Sequence, residues 1–222
     1  QVSEYLNKIT KVVIQEGVKE ILSKGFYCCD ALEFVQIPES VEIIGDRAFV
    51  NDKNLVSLKV PSSVKHIGEY AFANCTSLKD VDLSNVNTIG NYAFYKCTSI
   101  PSFAFSEDLE TIGTNAFEGC RMTEVIVPSK VSSVGAAAFA NCSVLEEVYF
   151  NSTKCKFEED EADAAFVGCT NFKKIVFGEN VSVVPEYICR KATELQTVVF
   201  EGTVSEIGEY AFANCTSLKD VD

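Results

Sequence analysis

Ten cysteines, one histidine and a run of carboxylates are the residues of this 222-residue chain that invite chemistry. Seven of the thiols, Cys29, Cys75, Cys97, Cys120, Cys142, Cys169 and Cys215, recur in one local context. A file of thiols can pair, hold zinc or fill space. Pairing needs Cβ atoms roughly 3.8 Å apart with converging vectors. Equivalents stacked in successive units have parallel vectors about a strand spacing apart. Tetrahedral zinc needs converging ligands, which a straight file does not supply. Free buried thiols acting as small apolar side chains are therefore expected. Cys189 stands at a Phe position and reads as core filler. Cys28, beside Cys29, points elsewhere; Cys155 lies in an inserted stretch, residues 154–164, and a disulfide at either stays open.

His66 is the single candidate base for a Ser/His/Asp arrangement. No Ser or Cys nucleophile motif accompanies it, so it reads as an exposed surface residue. Glu158-Glu159-Asp160-Glu161-Ala162-Asp163 offers five carboxylates in six residues. The spacing misses the EF-hand pattern and lacks its Gly, so a solvated, self-repelling loop is expected in place of a Ca²⁺ site. No metal and no cofactor are expected, and the chain does not read as an enzyme. Lys and Arg total 19 against 32 Asp and Glu, a net charge of −13. That balance argues against nucleic acid and anionic membranes, and favours basic or neutral partners. No stretch approaches the roughly 20 apolar residues of a membrane span.

The elements that position these residues come from a repeat. The pattern Val-x-x-Ile-Gly-x-x-Ala-Phe-x-x-Cys-x-x-Leu-x-x-Val-x-Leu/Val-Pro begins at Val18, Val41, Val64, Val86, Leu109, Val131, Val181 and Val204. The spacings are 23, 23, 22, 23, 22, 50 and 23, and Ala165-Phe166-Val167-Gly168-Cys169 restores the frame inside the 50. An incomplete unit, Ile9–Ile14, precedes the first. Leu78-x-x-Val81-x-Leu83 alternates as a half-buried strand does, and the following Pro (Pro38, Pro61, Pro128) ends it. Val64-x-x-Ile67 predicts a second short extended piece. Gly68 and its equivalents permit either a positive φ or close approach of the neighbouring coil. Tyr70-Ala71-Phe72-x-x-Cys75 is too short for a stable helix and predicts a single 3₁₀ or α turn. One unit cannot bury its own Leu, Val, Ile and Phe. About nine units stacked at ~4.8 Å bury a continuous column in a solenoid roughly 45 Å long.

Three runs carry a family resemblance: Ile67-Gly68-Glu69-Tyr70-Ala71-Phe72-Ala73-Asn74-Cys75-Thr76-Ser77-Leu78, Ile89-Gly90-Asn91-Tyr92-Ala93-Phe94-Tyr95-Lys96-Cys97-Thr98-Ser99 and Ile112-Gly113-Thr114-Asn115-Ala116-Phe117-Glu118-Gly119-Cys120. They resemble the leucine-rich repeat of the BspA-like surface proteins, over nearly the whole chain. The class expected is α/β: a β-rich, right-handed leucine-rich-repeat solenoid with a parallel sheet on the concave side and short 3₁₀ or α turns on the other. The resemblance implies a cell-surface or secreted protein of mucosa-associated microbes that binds host matrix proteins or other cells. Asp52 and Ala192 depart from the pattern where Cys is usual, and Pro185 where Gly is usual. Residues 1–222 read as one solenoid domain with no linker.

In such a stack the strand residues flanking the buried ones face outward, side by side on successive coils. One column runs Val13, Gln36, Lys59, Asp82, Ala104, Ile126, Tyr149, Val176, Val199, Asp222. From Ala104 to Val199 it is apolar in five successive coils, a contact-surface signal. The candidate binding residues are Ala104, Ile126, Tyr149, Val176, Val199 and Glu147, with Tyr149 the first choice for a hot spot. Two other accounts stay open: strand preference alone, and cover by sequence absent from this chain. Asn-x-Ser/Thr sequons at Asn74, Asn141, Asn151, Asn180 and Asn214 report sugars only in a eukaryotic secretory host.

Residues 67–82 and 207–222 are identical over 16 positions. The chain is expected to be a fragment of a longer repeat protein, or one whose last unit duplicates an internal one. Open ends predict end-to-end self-association. The functional expectation is an extracellular recognition or adhesion module that binds proteins through the sheet face, without membrane insertion. The alternative is a structural spacer or stalk, for which changing Tyr149 and Ile126 alters no binding.

Overall fold

The computed structural model describes residues 8–157 and 164–222, and every strand pair among them is parallel. Strands Lys11–Val13, Phe34–Gln36, Ser57–Leu58, Asp80–Leu83 and Ala104–Phe105 form a first sheet. Glu124–Val127, Glu147–Phe150, Lys174–Phe177, Thr197–Phe200 and Asp220–Val221 form a second sheet. The opposite wall is a ladder of two-residue strands from Glu20–Ile21 to Lys156–Phe157, resumed by Val183–Val184 and Glu206–Ile207. Register follows the repeat frame: Val12 lies beside Val35 and Ile67 beside Ile89. Like residues therefore stack on like.

Between the walls runs a file of phenylalanines. Phe26, Phe49, Phe72, Phe94, Phe117, Phe139 and Phe166 stack with centroids 5.2–5.5 Å apart and planes within 14°. Offset stacking of this kind adds to the area each ring removes from water. Cys189 takes the Phe place in its coil and is fully buried. All ten thiols are free. Within the file, Cys75 Sγ donates to the Phe49 carbonyl of the preceding coil at 3.1 Å, and Cys97, Cys120, Cys142 and Cys169 repeat the contact to Phe72, Phe94, Phe117 and Phe139. The thiols thus fill space and also bond across coils to carbonyls that, at Phe49, Phe72, Phe94 and Phe117, already accept an N–H within their own turn.

The turn side corrects the expected class. No described residue lies in a helix, and the 3₁₀ or α turns are replaced by an alternating backbone. Tyr70, Phe72 and Asn74 donate their N–H groups to Asn91, Ala93 and Tyr95 of the next coil at 2.7–2.8 Å. Ala71, Ala73 and Cys75 donate back to Gly68, Tyr70 and Phe72 at 3.1–3.3 Å. A helix keeps its bonds local; here every second donor joins the coils, which requires left-handed residues at Tyr70 (φ 55°) and Asn74 (φ 61°). Gly68 itself does not have positive φ. Its role is close approach, since a Cβ there would lie 2.7 Å from both Asp46 N and Gly45 C.

Candidate functional site

Outward residues of the second sheet lie in one line because the register is unbroken. Ile126 is paired with Tyr149, Tyr149 with Val176, and Val176 with Val199. Ile126 is 50% exposed, Tyr149 and Val199 are half-buried, and Val176 is buried at 4%. The expectation that all five apolar residues are exposed is corrected at Val176, which is buried between its register partners Tyr149 and Val199. Ala104 is exposed but ends the first sheet, paired with Asp82 and not with Ile126. The interruption falls where the unit from Leu109 is one residue shorter, between Cys120 and Met122. Phe103 replaces Val at this point, and its ring packs edge-on to Phe117 at 4.7 Å. The continuous stripe is therefore four coils long.

Tyr149 is oriented by its neighbours. Its hydroxyl donates to Glu147 Oε2 at 2.8 Å, and Lys174 Nζ lies 3.6 Å from Glu147 Oε1. That hydrogen bond and the Glu147 charge raise the tyrosine's pKa, with Glu124 and Glu201 adding to the effect. Protonated and held, the phenol stands in register beside Ile126 in a negative field. Such a ring combines apolar area with a polar tip, as interface anchors do.

The outward face of the first sheet is different in kind. Phe34, Ser57, Lys59, Asp80, Asp82 and Ala104 line a shallow groove. Lys11 Nζ lies 5.3 Å from the Phe34 centroid, and Asp82 Oδ1 accepts the N–H of Ser84 at 2.9 Å. The column Gln36, Lys59, Asp82 carries this contrast in the sequence. A third feature went unforeseen: on the turn side Arg47 covers Tyr70 at 4.8 Å, and Tyr70 stacks on Tyr92 at 4.5 Å. No motif announces it, because both tyrosines occupy left-handed positions that favour Asn or Gly.

His66 is exposed on the opposite wall, its Nδ1 2.9 Å from Thr88 Oγ1. The acidic run Glu158–Asp163 lies outside the described residues. Among the described residues no group of three or more His, Cys, Asp or Glu is placed to hold a metal ion. Burial pushes the thiols of Cys120 and Cys155 up to about 12 and that of Cys29 up to about 11, which suppresses thiolate chemistry. Asn74 Nδ2 donates to Asn51 Oδ1 at 2.9 Å, and Asn141 Nδ2 to Glu118 Oε1 at 3.1 Å. Both sequon amides are thereby engaged in inter-coil bonds.

A family model described as "BspA type Leucine rich repeat region" matches in six copies, over residues 4–109 and 87–219. A leucine-rich repeat protein from Bacteroides ovatus ATCC 8483 is 26% identical with a TM-score of 0.56, over 96% of this chain and 66% of that one. The T. pallidum leucine-rich repeat protein TpLRR is 26% identical with a TM-score of 0.57, over 95% and 78%. The pneumococcal vaccine antigen PcpA shares the fold at 20% identity and a TM-score of 0.56, over 96% and 63%. This chain thus spans a little under two thirds of the B. ovatus and PcpA chains. No curated protein matches it.

Proposed function

Since the chain belongs to the BspA-type leucine-rich-repeat family, we propose that it is a non-catalytic recognition module of the cell surface or of a secreted protein. It binds host matrix proteins or other cells through the outward face of the second sheet. The observation that carries this reading is Ile126, half exposed on a regular sheet and continuous in register with Tyr149, Val176 and Val199. Apolar area left on a flat, rigid face is what a protein contact uses. The stacked coils hold the face in place, so little ordering is required on binding.

The test is capture of matrix proteins and cells by the wild-type chain and by the double variant Ile126→Asp/Tyr149→Asp. Loss of capture by a variant that keeps its circular dichroism spectrum supports the reading. Retained capture moves the site off this face and favours a spacer role for the second sheet.

A further inference from the structure

Resting on that reading, we infer the chemistry of the partner: an extended cationic segment with apolar side chains at alternate positions, bracketed by lysine or arginine. The dimensions come first. Ile126 to Val199 spans three strand spacings, about 14 Å, and an extended chain presents same-side residues about every 6.8 Å. Three alternate apolar side chains therefore cover the stripe from end to end.

Charge then sets the flanks. Glu124 shares a strand with Ile126, is exposed, and has no ion pair among the described residues. At the other end, exposed Glu201 follows the strand of Val199, and exposed Asp220 is paired in register with Thr197. Lys174 is the one cation in the strands of this sheet, and it is already drawn to Glu147. Uncompensated carboxylates thus stand at both ends of an apolar line. Behind the hydrogen bond and charge of Glu147, Glu124 and Glu201 also contribute to the upward shift of Tyr149 in the middle of the stripe. A basic side chain at either end relieves this field, whereas an acidic one meets like charge, so the face selects by sign as well as by shape. The first sheet offers no such line, because Lys59 is interleaved with Asp80 and Asp82 in its groove.

The experiment uses three synthetic peptides with a common Val-Thr-Val-Thr-Val centre, flanked on both sides by Lys-Lys, Gln-Gln or Glu-Glu. Each is titrated by fluorescence anisotropy against the wild-type chain, the Ile126→Asp/Tyr149→Asp variant and the Glu124→Lys/Glu201→Lys variant. The Lys-flanked peptide is expected to bind the wild type about tenfold more tightly than the Gln-flanked one, weakening as salt rises. The order should reverse on Glu124→Lys/Glu201→Lys. Equal binding of Lys- and Gln-flanked peptides overturns the charge inference and leaves the stripe reading standing. If no peptide binds the wild type better than it binds Ile126→Asp/Tyr149→Asp, both fall together.

Discussion

Asp52 Oδ1 accepts the backbone N–H of Cys29 at 2.7 Å, while its Oδ2 is buried without a hydrogen-bond partner. The residue stands in the file that thiols occupy in most other coils, facing Cys29 and Cys75, with the Asp30 charge near. Burial raises its pKa from 3.8 to about 8, against the pull of the Cys29 N–H. The native state therefore keeps a proton that the unfolded chain releases. The stabilising effect of that proton is complete below about pH 4 and is lost as pH rises to about 8. Asp52→Cys restores the thiol and removes the dependence. Its stability advantage over the wild type should widen between pH 4 and pH 8, by on the order of 5 kcal/mol at ~1.4 kcal/mol per unit. Urea midpoints across that range check it. A constant gap would show that Asp52 is ionised throughout.

Opposite outcomes are expected at two small residues of the turn. Gly68→Ala drives a Cβ into the backbone of the preceding coil. It should destabilise by more than ~1 kcal/mol, the range of core overpacking. Ala137 has φ 53°, where an L-residue is strained by about 1–2 kcal/mol. Ala137→Gly should be neutral to stabilising, since relief of that strain offsets the ~0.5–1 kcal/mol entropy of glycine. Thermal melts of the two variants decide the matter.

Removing one ring from the middle of the phenylalanine stack leaves a cavity that rigid neighbouring coils cannot close. Phe94→Ala, with Phe72 and Phe117 stacked on either side, should cost about 3–5 kcal/mol. Denaturant unfolding of that variant gives the number. A loss below ~1 kcal/mol would mean that the coils slide to fill the gap.

Thiol labelling reads the file directly. Eight cysteines are buried, while Cys28 and Cys215 are partly accessible. Brief alkylation of the native chain, read by peptide mass spectrometry, should mark Cys28 and Cys215 alone, and denaturation should expose all ten. Early labelling of Cys97 or Cys120 would contradict the packed stack.

Repeat frame, register and the single file of thiols were legible because each rests on side-chain spacing, which a sequence displays directly. The pairing of Val12 with Val35 and the burial of Cys189 follow from counting. The turn was not legible. Its alternating bonds place Arg47, Tyr70 and Tyr92 in the left-handed region, and none of these residue types signals it. Gly68 left two accounts open, and the distance to Asp46 N chooses between them. At the site, the line from Ile126 to Val199 could be read from sequence. The burial of Val176 and the separation of Ala104 could not, because they depend on neighbours across coils and on a ladder interrupted after Phe105.

Photo-crosslinking tests the contact face most directly. A benzophenone amino acid is placed at position 126 in one chain and at position 66, on the opposite wall, in another. Each is irradiated with host matrix proteins and cells. Adducts from 126 and none from 66 are the expected result. Equal adducts from both, or adducts from 66 alone, would contradict recognition through the second sheet.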